Sequence, residues 1–153
     1  MLKTGDKAPA FTLQSDEDKP VSLKEFKGKR VLLYFYPKAN TPGCTTEACD
    51  FRDARSKFDK QDTVILGVSA DSPKTLAGFK KKQKLNFTLL SDPDFKMIES
   101  YGVRRMKKFM GREFLGIVRS TFLIGPDGKI EQIWDPVSVK GHAKEALSAV
   151  SAK

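Results

Sequence analysis

Two apolar runs, Val31-Leu32-Leu33-Tyr34-Phe35-Tyr36 and Val64-Ile65-Leu66-Gly67-Val68-Ser69, constrain this chain more than any other feature. Neither alternates polar with apolar residues, so each reads as a strand covered on both faces, central in its sheet and parallel. Between them, Cys44 to Lys60 carries Ala48, Phe51 and Phe58 along one stripe and reads as a helix. Strand, helix and strand then make a βαβ crossover.

The same pattern continues. Ser72 to Gln83 reads as a helix, Phe87 to Leu90 as a short strand, and Asp94 to Tyr101 as a helix ended by Gly102. Ser120 to Ile124 and Lys129 to Trp134 flank Gly125-Pro126-Asp127-Gly128, whose proline and glycine torsions suit a turn, so an antiparallel hairpin is expected there. A last helix is expected from about Val139 to Ala152. Arg104 to Gly116, with two glycines, five basic residues and no clear period, reads as a long surface loop. With no repeat or linker, the 153 residues fit one domain, 1–153, long enough to bury about 70% of its unfolded surface. The expected class is α/β: a mixed sheet with helices on both faces, the thioredoxin-like plan.

A chain this long needs no covalent staple, so Cys44 and Cys49 read as chemical rather than structural residues. The N-terminus lacks the apolar stretch of a signal peptide, and no run approaches the roughly 20 apolar residues of a membrane span. A soluble, cytoplasmic protein is expected, with no membrane partner. The net charge of +9 concentrates in Lys80-Lys81-Lys82-Gln83-Lys84 and Arg104-Arg105-Met106-Lys107-Lys108. Acidic residues lie throughout the chain and no nucleic-acid-binding signature accompanies the lysines, so nucleic acid is not the expected partner.

Pro42 suits the first position of the helix, which places Cys44 in the first turn. Unpaired N–H groups and the positive end of the helix dipole favour a thiolate there. Cys44, Ala48 and Phe51 share a face, so the sulfur points toward the packed side and into a sheltered pocket. Cys49 lies five residues on, about 140° around the helix and roughly 7.5 Å along it. On an ideal helix the two Cα atoms sit about 8 to 9 Å apart, beyond the roughly 7 Å limit for a disulfide, so a bond between them requires the helix to unwind locally.

The segment Phe35-Tyr36-Pro37-Lys38-Ala39-Asn40-Thr41-Pro42-Gly43-Cys44-Thr45-Thr46-Glu47-Ala48-Cys49 resembles the peroxiredoxin active-site signature Pro-x-x-x-Thr-x-x-Cys, in the form of the bacterioferritin comigratory protein or peroxiredoxin Q subfamily. The likeness runs from Gly5-Asp6-Lys7-Ala8-Pro9-Ala10-Phe11 through Phe87-Thr88-Leu89-Leu90-Ser91-Asp92 to Arg119-Ser120-Thr121-Phe122-Leu123-Ile124. It implies a thiol-dependent peroxidase for hydrogen peroxide and organic hydroperoxides, acting in antioxidant defence without metal or organic cofactor. Cys44 would be the peroxidatic cysteine and Thr41 the hydroxyl that hydrogen-bonds the bound peroxide. Pro37 would shield the pocket, Arg119 would stabilise the thiolate and polarise the peroxide, and Glu47 would hold Arg119. Cys49 matches the resolving position of members that carry it in the same helix. The resemblance further implies an intramolecular disulfide after a Cys44 sulfenic acid, thioredoxin as the reductant, and a monomer.

Two other classes remain open on the sequence. A dithiol oxidoreductase acting on protein disulfides fits the fold, although four residues rather than two separate the cysteines. A non-catalytic module could use the basic face. His142 with two cysteines falls short of the four ligands of a structural zinc site. Phe109 and Met110 carry no assignment.

Overall fold

The computed structural model describes residues 1–153. In chain order its elements are β1 (Thr12–Ser15), β2 (Pro20–Ser22), a 3-10 turn (Leu23–Phe26), β3 (Arg30–Phe35), α1 (Pro42–Asp59), β4 (Thr63–Ser69), α2 (Pro73–Gln83), β5 (Thr88–Ser91), α3 (Lys96–Ser100), β6 (Arg104–Phe109), β7 (Arg112–Ile117), β8 (Ser120–Ile124), β9 (Ile130–Trp134) and α4 (His142–Ser151). Seven strands form one mixed sheet in the order β2-β1-β5-β4-β3-β8-β9. The two apolar runs are its centre: β3 and β4 are parallel, from Arg30 opposite Thr63 to Phe35 opposite Val68. β5 is parallel to β4, and β8 is antiparallel to β3.

Alternation along β3 divides the interior in two. Leu32, Tyr34 and Tyr36 face the side covered by α1, α2 and α4, where Phe51, Phe58, Phe79 and Ala146 fill the layer. Val31, Leu33 and Phe35 face the opposite side, against Met97 and Ile98 of α3, Tyr101 and the N-terminal Phe11. The fold is therefore a mixed sheet with helices on both faces, three on one and the short α3 on the other.

Three regions differ from the sequence expectation. Residues 12–22, for which no element was anticipated, add an antiparallel pair at the sheet edge through β1 and β5. α3 and α4 are shorter at both ends than expected. The segment 104–116 is a β-hairpin, Arg104 opposite Ile117 through to Phe109 opposite Arg112, turned by Met110 and Gly111 at φ +51° and +78°. Its period was hidden because almost none of it is buried: only Ile117 reaches the core, so alternation carries no apolar signal. The hairpin is held at its base by Arg104 over the Phe95 ring at 3.9 Å, by Arg104 with Glu99, and by Arg105 with Asp135.

Candidate active site

β3 ends under the helix-covered face and the chain turns through Pro37 to Thr41 into α1. Asp71, just beyond β4, fixes this turn: its Oδ2 accepts from the Ala39 N–H at 2.8 Å and from the Ser69 hydroxyl at 2.8 Å. Thr41 is the N-cap, in extended conformation, and Pro42 takes the first helical position where its missing N–H is no loss. The Thr41 hydroxyl does not cap the helix. It donates instead to the Lys38 carbonyl at 2.8 Å, which leaves its oxygen lone pairs free to accept.

Cys44 is third in α1, 1% exposed, in the packed layer with Ala48, Phe51, Tyr34 and Tyr36. Arg119, the residue before β8, reaches it from beside the end of β3, where Ser120 pairs with Phe35. Its Nη2 donates to Cys44 Sγ at 3.3 Å, and its Nη1 donates to Glu47 Oε1 at 2.6 Å. One guanidinium thus joins two groups on adjacent turns of α1, and its fork geometry suits this double engagement. The arginine passes directly over Gly43, where a side-chain Cβ would lie 3.2 Å from Arg119 Nη2. The glycine is what admits it.

The electrostatics of this cluster follow from burial. Glu47 is 2% exposed, and burial pushes its carboxyl up to about 7, against the lowering effect of the Arg119 charge and hydrogen bond. Its Oε2 and the hydroxyls of Tyr34 and Tyr36 are buried without hydrogen-bond partners. Burial also raises both tyrosines, with Glu47 and Cys44 adding to the shift. They stay neutral, so Arg119 is the cation of this layer, shared between the Cys44 sulfur and Glu47.

Cys49 faces elsewhere. Its thiol is half-buried against α2 and donates to Gln83 Oε1 at 3.7 Å. Beyond it α1 is bolted to the end of α2: Arg52 Nη1 donates to the Gln83 carbonyl at 2.7 Å, Asn86 Nδ2 donates to the Arg52 carbonyl at 3.1 Å, and Arg55 donates to the Asn86 carbonyl. Both cysteines are free thiols.

The structure therefore brings together Cys44, Arg119 and Glu47, puts Thr41 at the start of the same helix and half-buried Pro37 in the turn that leads to it, and leaves Cys49 on another face. Sequence reasoning missed Gly43, Asp71 and the two tyrosines. Gly43, between a proline and the cysteine, carried a signal for close approach. The tyrosines are part of the apolar run of β3, and Asp71 stands in no motif that marks it. His142 Nε2 pairs with the Thr121 hydroxyl at 2.8 Å, and burial lowers its pKa.

A buried thiol at a helix N-terminus, held by an arginine that a carboxylate steadies, on a thioredoxin-like sheet, defines a thiol-dependent redox enzyme. Residues 4–133 match the AhpC/TSA family. The chain is 48% identical to Bacillus subtilis peroxiredoxin Bcp over 149 residues, 97% of this chain and 95% of that one. It is 48% identical to Escherichia coli (strain K12) peroxiredoxin Bcp over 147 residues, 96% and 94% of the two chains. Among solved structures, a cysteine variant of Xylella fastidiosa PrxQ superposes with a TM-score of 0.94 at 35% identity, covering 99% of this chain and 97% of that one. Xanthomonas campestris bacterioferritin comigratory protein superposes with a TM-score of 0.89 at 41% identity, covering 93% and 90%. This chain belongs to the AhpC/TSA family and is a peroxiredoxin, a thiol-dependent peroxidase.

Proposed function

We propose that residues 1–153 form one peroxidase domain in which Cys44 reduces a hydroperoxide and Cys49 resolves the product. The observation that carries this reading is the 3.3 Å hydrogen bond from Arg119 Nη2 to the buried Cys44 sulfur at the start of α1. A cation and a helix N-terminus face one sulfur, and the same cation can stabilise charge developing on the leaving oxygen. The Cys44 thiolate attacks the terminal peroxide oxygen. The O–O bond breaks, sulfur gains the oxygen as sulfenic acid, and the alkoxide or hydroxide takes a proton and leaves as alcohol or water. The Thr41 oxygen, its O–H already donated in a hydrogen bond to the Lys38 carbonyl, accepts from the peroxide O–H and orients it. Pro37 shields the pocket, and Glu47 positions Arg119 without touching substrate.

Cys49 then displaces hydroxide from the sulfenic sulfur, which leaves as water, and a Cys44–Cys49 disulfide forms. The first turns of α1 must open for this, since the two side chains face different neighbours. Alkyl hydroperoxides are proposed substrates beside hydrogen peroxide: the Xanthomonas campestris relative is described in terms of alkyl peroxide reduction activity. We infer further that thioredoxin supplies the reducing dithiol, that the protein acts as a cytoplasmic monomer in antioxidant defence, and that no metal or organic cofactor takes part. No helix is long and apolar enough to cross a membrane.

Intact mass and free-thiol count before and after brief mixing with equimolar hydrogen peroxide test the cycle. The expected result is loss of both thiols and two hydrogens in the parent, no reaction in Cys44→Ser, and a trappable sulfenic acid in Cys49→Ser. Equal reactivity at both cysteines, or oxidation that survives Cys44→Ser, refutes it.

A further inference from the structure

Apart from the N-terminal Met1, the large apolar side chains that this chain leaves in solvent all lie on the β6–β7 hairpin. Phe109 and Met110 are 66% and 86% exposed, and Met106, Phe114 and Leu115 accompany them. Residues opposite one another in an antiparallel pair share a face. The register therefore puts Arg105, Gly116, Lys107, Phe114, Phe109 and Arg112 on one face, and Met106, Leu115, Lys108 and Glu113 on the other. The second face opposes a cation to an acid. The first carries two phenylalanines and three cations with no acid of its own, and of those cations only Arg105 has a carboxylate partner, Asp135.

The base of this face leads by way of Ile117 to Arg119, the residue bonded to the Cys44 sulfur. A Cβ on Gly116 would meet the Phe114 ring at 3.0 Å and Lys107 Cδ at 3.1 Å, so both side chains lie along the strand that runs into Arg119. Lys107 Nζ donates to the Ile117 carbonyl at 2.9 Å, two residues from that arginine. Burial lowers the Lys107 pKa, and the Arg119 charge lowers it further.

The tip adds an independent observation. Met110 and Gly111 both have positive φ, the signature of a type I′ turn in which asparagine or glycine is favoured at the first position. A long apolar side chain in left-handed backbone is unfavourable, and at 86% exposure Met110 gains no packing in this chain. Neither turn chemistry nor the core accounts for a methionine there, whereas a partner surface does.

A second copy of the chain is a poor occupant, because the face would oppose its own cations. The proposed cycle requires a different visitor, a protein dithiol that must reach the Cys44–Cys49 disulfide. We propose that Lys107, Phe109, Arg112 and Phe114, with Met110 at the tip, form the docking surface for that reductant, a small dithiol protein with apolar groups around its reactive thiol and an acidic rim. This rests on the disulfide cycle given above. In the step it serves, a reductant thiolate attacks one sulfur of the disulfide and releases the other as a thiolate. The reductant's second thiol then displaces this chain's sulfur from the mixed disulfide, so the reductant leaves oxidised and both cysteines return reduced.

The test compares thioredoxin with dithiothreitol as reductant for the parent, for Met110→Asn, and for the triple variant Phe109→Ser/Met110→Asn/Arg112→Glu, with direct thioredoxin binding measured in parallel. In the triple variant the KM for thioredoxin rises and its binding weakens, each by roughly tenfold or more. Dithiothreitol-driven turnover stays unchanged, and Met110→Asn unfolds no more readily than the parent because it relieves the turn. Thioredoxin binding and KM within about twofold of the parent overturn the proposal, as does an equal loss with dithiothreitol. Variant-sensitive sedimentation with phosphatidylcholine–phosphatidylglycerol vesicles, without change toward thioredoxin, overturns it in favour of a membrane surface. A parent that consumes no peroxide with dithiothreitol fails the peroxidase reading itself, and thioredoxin binding then still decides the docking surface.

Discussion

Replacing Arg119 with methionine tests the catalytic and the structural halves of the site in one variant. The side chain keeps its apolar bulk but loses the 3.3 Å bond to Cys44 Sγ and the 2.6 Å bond to Glu47 Oε1. A hydrogen bond to a charged group contributes about 1.5 to 3 kcal/mol, so the second-order rate constant for Cys44 oxidation should fall roughly 10- to 150-fold. Stability should change with pH in a defined direction. The Glu47 carboxyl is raised in the fold from 4.5 to about 7, so the stability associated with its protonated form is complete below pH 4.5 and is lost as pH rises through about 7. In Arg119→Met the folded value rises further, because both lowering effects of the arginine are gone, and the loss continues where the parent levels off. The stability gap between parent and variant should therefore widen above pH 7 by at most about 1.4 kcal/mol per pH unit. Quenched-flow thiol labelling measures the rate, and urea unfolding at pH 5.5 and 8.5 measures the gap. Adding Glu47→Gln should close the pH-dependent part of the gap and leave the rate low. A rate within threefold of the parent, or the same gap at both pH values, would sink the reasoning.

Gly43→Ala should slow Cys44 oxidation by about fivefold, since its Cβ would sit 3.2 Å from Nη2 of a guanidinium already held by Cys44 and Glu47, while the better helix former raises stability by up to about 1 kcal/mol. A slower enzyme that is also less stable would show that the helix, not the arginine, was disturbed. Amide exchange should accelerate on oxidation between residues 42 and 50 and stay unchanged from Arg52 onward, where the bonds to Gln83 and Asn86 hold α1 to α2. Loss of protection reaching Phe58, or none anywhere, refutes a local opening.

The centre of the fold was readable because burial on both faces leaves a continuous apolar signal, and β3 and β4 begin within one residue of the runs Val31–Tyr36 and Val64–Ser69. The site was readable where chemistry and helix geometry coincide: Pro42 and Cys44 announce a helix start and a nucleophile. What stayed hidden depends on contacts far apart in sequence. Nothing near Asp71 says that it holds the Ala39 N–H, and nothing in Lys107 says that it bonds the Ile117 carbonyl. The hairpin escaped for the opposite reason, since strands exposed on both faces have no alternation to read.

α1 has to meet two opposed demands, rigid enough to aim Cys44 and soft enough to let Cys49 reach it. The structure divides them along the helix. Its first turn has no side-chain cap, and Gly43, Cys44, Thr45 and Thr46 together are about 3 kcal/mol less favourable in a helix than alanines would be. Those residues are held by what lies outside the helix, namely Arg119 above and the Asp71-fixed turn before it. Past Cys49 the helix is fastened by Arg52, Arg55 and Asn86 and by the buried Phe51 and Phe58. In the proposed cycle, oxidation of Cys44 converts the thiolate that Arg119 holds into a neutral sulfenic acid. The strongest external restraint on the weak turn is thereby loosened at the moment when that turn must open toward Cys49. A helix stabilised evenly along its length would keep the two sulfurs apart, and one weak throughout would not hold Cys44 under the arginine.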